Sequence, residues 1–167
     1  DGVTCHFCHS QVDPVYVAGQ SPPEDVAVLD ALAEVPTSYG NAMFVLDPEG
    51  VRRGPYSDTD AIHETIYSPF HKSGDMCGTC HDVGNVAVTK QLDGSYRYNE
   101  IGEASPTEDL HEMFPLERTY TEWKLSAFAS GGVDMGGRFG GAGSPVVETC
   151  QDCHMPRTPG DGCARGP

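Results

Sequence analysis

Six of the seven cysteines fall in three copies of one pattern: Cys5-His6-Phe7-Cys8-His9, Cys77-Gly78-Thr79-Cys80-His81 and Cys150-Gln151-Asp152-Cys153-His154. Each reads C-x-x-C-H. Two thiols three residues apart, with an imidazole directly behind them, share one short turn and point the same way. Two chemistries use such pairs. C-x-x-C alone is the usual half of a zinc knuckle or ribbon, whereas C-x-x-C-H is the attachment signal for c-type haem. Zinc does not need a histidine after the second cysteine of every pair. Seven histidines in 167 residues put one at a given position about once in twenty-four, so three by accident is on the order of one in ten thousand. The spacing therefore points to covalent haem. The thiols reach the vinyl groups along one porphyrin edge, and the imidazole becomes the proximal axial ligand. On this reading Cys5, Cys8, Cys77, Cys80, Cys150 and Cys153 hold three c-type haems, and His9, His81 and His154 ligate their irons.

Four histidines remain, His6, His63, His71 and His111, for three distal positions. Bis-histidine ligation of every iron is thus within the supply, with one residue to spare. Iron saturated in this way has no open position for substrate, which favours electron transfer over catalysis. His71 is the first choice, being close to the second box and free to serve another iron; His63 and His111 follow. His6 comes last, because its neighbours Cys5 and Cys8 are tied to one porphyrin and its side chain is expected to point away. Met43, Met76, Met113 or Met135 in place of one histidine would raise that haem's potential. The alternative is a multihaem reductase with one open iron, for which Lys72 is the lysine near a box. Cys163 lacks a second cysteine and a histidine, so it makes no fourth box.

The elements that must carry these residues are short. Hydrophobic residues make up 38 % of the chain, against 20 glycines and 13 prolines. A purely protein core would be thin, and the expected fold class is loop-rich and mostly irregular. Short α-helices and a small β-hairpin, in one domain over residues 1–167, would wrap three stacked haems that serve as the core. Ser21-Pro22-Pro23-Glu24-Asp25 predicts a helix running to about Glu34. Met43 to Leu46 predicts a strand closed by the turn Asp47-Pro48-Glu49-Gly50. Ser57 to Asp60 is expected to cap a helix that carries His63 and ends near Tyr67. Val86 to Tyr98 predicts a hairpin turning at Asp93-Gly94. Ser105 to Asp109 should cap a helical turn with His111, and Thr119 to Ala129 is the longest expected helix. Tyr120, Trp123 and Phe128 on that helix are candidates to pack on a porphyrin. A glycine-rich loop, Gly131 to Ser144, then leads to the third box. Arg52 and Arg53 are candidates to grip haem propionates, or to form a surface ion pair.

The formal net charge is −15, with no basic patch to meet phosphates, so a nucleic-acid partner is excluded. No apolar run approaches the ~20 residues of a membrane-spanning helix. The chain starts at Asp1 without a leader-like segment, so a leader already removed or a longer parent protein is expected.

The segments Gly2 to His9, Asn41 to Gly50, Arg53 to Tyr56, Ser68 to Val83 and Thr119 to Pro156 together resemble the multihaem c-type cytochrome family. More narrowly they are similar to secreted bacterial members with SPFH…CGTCH and EWK…CQDCHMP segments. The resemblance spans most of the chain. It implies haems stacked edge to edge that pass single electrons, and a periplasmic or extracellular, extracytoplasmic address. It also implies partners that are other redox proteins or copies of the same chain in a filament, the chain serving alone or as a module of a longer multihaem protein. Such relatives are expected to carry an acidic residue where His6 stands, and to continue past CQDCHMP. On that basis one distal ligand would come from outside residues 1–167.

Overall fold

The computed structural model describes residues 3–59, 61–139 and 144–155. The chain opens with α1 (Cys5–His9), β1 (Gln11–Val12), α2 (Asp25–Asp30), β2 (Val45–Leu46), β3 (Arg52–Gly54) and β4 (Thr65–Tyr67). A 3-10 turn, Pro69–Lys72, leads into α3 (Gly74–Gly78), followed by β5 (Val83–Asn85), β6 (Val88–Lys90) and β7 (Tyr96–Tyr98). A second 3-10 turn, Leu110–Glu112, precedes β8 (Phe114–Glu117), α4 (Thr119–Lys124), β9 (Val133–Asp134), β10 (Val146–Val147) and α5 (Cys150–His154). The fold is loop-rich, as the glycine and proline content requires. Every sheet among the described residues is a two-stranded pair: β1–β2, β5–β8, β6–β7 and β9–β10 antiparallel, β3–β4 parallel. The buried apolar cluster is correspondingly small, Val12, Leu29 and Val45 with Val28 against it.

The helix that carries each cysteine box starts at a hydroxyl cap. The Thr4 side chain accepts from Phe7 N at 3.3 Å, and Ser73 accepts from Asp75 N at 3.1 Å. Thr149 and Asp152 form a reciprocal capping box in front of the third. Such caps satisfy backbone donors that a five-residue helix otherwise leaves open. In α1 and α5 the helix spans the whole box; α3 stops at Gly78, and Cys80 and His81 continue it as turns onto Cys77 O at 3.1 and 2.8 Å.

Several local expectations hold. The hairpin forms as β6 and β7 around Gly94, whose φ of +82° suits glycine. The turn after β2 closes through Gly50 N to Asp47 O at 3.1 Å. The 3-10 turn with His111 is capped by Asp109, the last residue of the expected capping segment.

Others are corrected. No helix runs from Ser57 to Tyr67: residues around His63 are bends, and Thr65-Ile66-Tyr67 pairs in parallel with Arg52-Arg53-Gly54. β-branched and aromatic side chains favour that strand, and a partner edge was available; Asp60 lies outside the described residues. The expected helix to Glu34 ends at Asp30, and its intended cap, the Ser21 hydroxyl, donates instead to Asp13 at 2.7 Å. The long helix from Thr119 stops at Lys124. Two of its three aromatic residues pack against protein. Tyr120 and Trp123 lie on α3 at Gly78 and Gly74, where an added Cβ would stand 2.7 and 2.6 Å from their rings. Two glycines four residues apart thus let α4 sit directly on the helix of the second box. Part of the glycine-rich loop, with Cys163, falls outside the described residues; its ends pair as β9 and β10. Among the described residues no helix is long and apolar enough to cross a membrane.

Candidate functional site

The three boxes converge. Cys77 donates its S–H to Cys150, an interaction that pushes the Cys77 thiol up and draws Cys150 down to about 7. Burial raises the Cys8 thiol, and the nearby sulfurs of Cys5 and Cys80 add to it. The Gln151 side chain of α5 donates to Ser73 O at 2.7 Å, tying the third box to the start of α3. All six box cysteines are unpaired thiols.

One face of this cluster opens into a cavity of about 950 Å³, at the upper end of ordinary ligand sites. Cys5, His6, His9, His63 and His71 line it, together with Arg52, Lys72 and residues ahead of and within α5. The histidine geometry there is ordered. His9 donates its Nδ1–H to Arg53 O at 2.7 Å, which leaves Nε2 as the bare lone pair. A backbone carbonyl on the far nitrogen is the usual way a metal-ligating imidazole is oriented. The His71 ring lies 6.0 Å from that of His9, centroid to centroid, with 13° between planes. His71 is 6 % exposed, and burial holds it neutral, with its pKa lowered to about 4. Its Nε2 donates to Cys8 O at 2.9 Å, while its Nδ1 is buried with no partner among the described residues. Each ring therefore keeps one unshared nitrogen. With metal–nitrogen bonds of about 2 Å, two imidazoles on one metal stand roughly this far apart. His63, half-buried in the same cavity, donates Nδ1–H to Glu64 O at 3.2 Å and also keeps Nε2 open.

The histidine of the second box is held differently. His81, with 62 % of its side chain exposed, donates Nδ1–H to Glu117 Oε1 at 3.0 Å, and that bond holds the Glu117 carboxyl below its ordinary range. The next residue, Asp82, is buried and pinned by Thr121 Oγ1 at 2.5 Å and Arg118 at 3.2 Å, which fixes the end of the box. His154 and His111 are exposed. His111 lines a separate cavity of about 570 Å³ with Tyr39, Tyr120 and Lys124, away from the larger cavity at the first and third boxes. His6 does not point away as expected: it lines the rim of the main cavity and contacts Ser10 Oγ at 3.4 Å.

Arg53 is a further correction. It is fully buried, with Nε on Asp25 at 2.7 Å and Nη1 on Asp47 at 2.8 Å, so it is neither a surface pair nor free to hold a ligand's carboxylate. Its role is to fasten β3 to α2 and the Asp47 turn, and so to place the carbonyl that His9 needs. Sequence reasoning missed this carbonyl, the Glu117 carboxylate and Gln151; nothing local marks them, since each comes from a distant segment. The Gly74–Gly78 pair was the one readable clue to α4.

No group of three or more His, Cys, Asp or Glu among the described residues is arranged to hold a bare metal ion. A haem iron asks less of the protein, because the porphyrin supplies four nitrogens and the chain only two. Comparison with protein-family models, with curated proteins and with solved structures finds no match.

Proposed function

We propose that the chain is an extracytoplasmic electron-transfer protein, carrying three c-type haems on its C-x-x-C-H boxes. The observation that supports this most is the pairing of His9 and His71. Near-parallel imidazoles 6.0 Å apart, one unshared nitrogen on each, flank a cavity that also holds the first thiol of a box. Bound haem supplies reversible single-electron chemistry at an iron whose potential the protein tunes through ligands, burial and charge. The residues divide the work accordingly. Cys5 and Cys8, Cys77 and Cys80, and Cys150 and Cys153 anchor; His9, His81 and His154 are proximal ligands.

His71 is the distal ligand beside His9, buried so that it stays neutral and able to coordinate. His63, open at Nε2 in the same cavity, is the next candidate, then His111 and His6. Arg53 O and Glu117 orient the two proximal imidazoles, and the carboxylate, being charged, makes its partner the more electron-rich. The hydrogen bond between Cys77 and Cys150, and the electrostatic influence of Cys80 on Cys8, support a close grouping of the three boxes, as electron exchange between their haems would require. Another redox protein or a second copy of the chain would receive them.

Electron paramagnetic resonance on the oxidised protein tests this reading against a reductase. The expected result is low-spin ferric signals alone and no spectral change with cyanide. A high-spin ferric haem that binds cyanide would overturn full bis-histidine ligation and favour a reductase.

A further inference from the structure

The wall of the main cavity gathers two cations, Arg52 and Lys72, in a chain with only ten lysines and arginines against twenty-five acids. Neither has a carboxylate partner among the described residues. Arg53, one residue from Arg52, is fully neutralised by Asp25 and Asp47, so the contrast is local. The Lys72 ammonium is held in place without being neutralised. It stands 5.0 Å from the Tyr56 ring centroid and 5.7 Å from that of Tyr67, faces that attract a cation but accept no proton. The acids in the same wall are Glu148 and Asp152, and the Asp152 carboxylate is already bonded to the backbone of Glu148 and Thr149 at 3.0 and 2.9 Å. Pro55, Ala61, Tyr56 and Met155 contribute apolar surface. The cavity thus combines an apolar body, unshared imidazole nitrogens and two waiting positive charges.

We infer that Arg52 and Lys72 are the anchors for the carboxylates of the haem carried on Cys5 and Cys8, and that they fix its rotation in the cavity. The inference rests on the haem reading above and names which side chains meet the cofactor's anionic edge. A guanidinium can take a carboxylate bidentately, while the ammonium acts as a point charge at the more exposed side. Positive charge beside the haem favours the reduced iron, so these residues also raise its potential.

The test is a redox titration of the purified holoprotein, followed by absorbance and paramagnetic resonance, for wild type, Arg52→Gln, Lys72→Gln, the double variant and Lys72→Arg. Intact mass counts the haems in each. The expected result is three haems throughout and a lower potential for one centre in each Gln variant. The double variant should show the largest shift and Lys72→Arg should restore the wild-type value. The Lys72→Gln shift should shrink by at least half between about 0.01 M and about 1 M ionic strength, because the pair is screened at the cavity mouth. Three haems with unchanged potentials in the double variant would overturn the anchor assignment alone. A wild-type protein without covalent haem would overturn the underlying reading and the anchors with it.

Discussion

Replacing Arg53 by methionine removes a fully buried guanidinium and leaves Asp25 and Asp47 facing each other without a counter-charge. Asp25 is 0 % exposed and Asp47 nearly so, and Asp25 also accepts from Asp13 N at 3.2 Å. Methionine fills much of the same volume, so the loss is chiefly electrostatic. Breaking a buried ion pair from one side costs about 3–5 kcal/mol. In a domain of this length that is roughly 6–20 °C in Tm. The sign of the pH dependence follows from the carboxyls. Burial already holds Asp25 above its ordinary 3.8, against the opposing pull of Arg53, and burial likewise raises Asp13. Without the guanidinium Asp25 rises further. A carboxyl whose folded pKa is raised binds its proton more readily in the folded state, so its stabilising contribution is present at low pH and lost as pH rises through that value. The variant's deficit should therefore be full at neutrality and narrow as pH falls toward the ordinary carboxylate range. Thermal unfolding by far-UV circular dichroism across pH measures it. A loss below about 1 kcal/mol at neutrality, or a gap that does not change with pH, would refute the reasoning.

Other consequences can be checked singly. His71→Ala should convert one low-spin haem to a high-spin, cyanide-binding one while intact mass still shows three haems, read by paramagnetic resonance. Glu117→Gln removes the charged acceptor from His81 and should raise the potential of the second-box haem, with the others unmoved in a redox titration. Gly78→Ala would place a Cβ 2.7 Å from the Tyr120 ring, and overpacking of that kind costs about 1–3 kcal/mol in chemical denaturation.

What could be read in the sequence follows a physical division. The boxes, the Asp93-Gly94 hairpin and the loop-rich character are all local, set by residues within a few positions of one another. The misread helix over 57–67 shows where locality ends. Thr65, Ile66 and Tyr67 became a strand because β3 offered an edge that arrives from more than ten residues earlier. Arg53 was legible as a cation but not as a buried one, since its partners Asp25 and Asp47 come from other elements. Tyr120 and Trp123 were legible as aromatic cover, yet what they cover is Gly78 and Gly74 of α3. The same holds for the ligands: that His71 was a good candidate came from its place near a box, but that it faces His9 across 6.0 Å needed the fold.

The most direct measurement is the intact mass of the purified chain after acid denaturation. Six thioether bonds predict a coloured species heavier than the polypeptide by three haem increments, none lost on unfolding. A colourless chain at its bare polypeptide mass, or one that gives up zinc from those sulfurs, would contradict it.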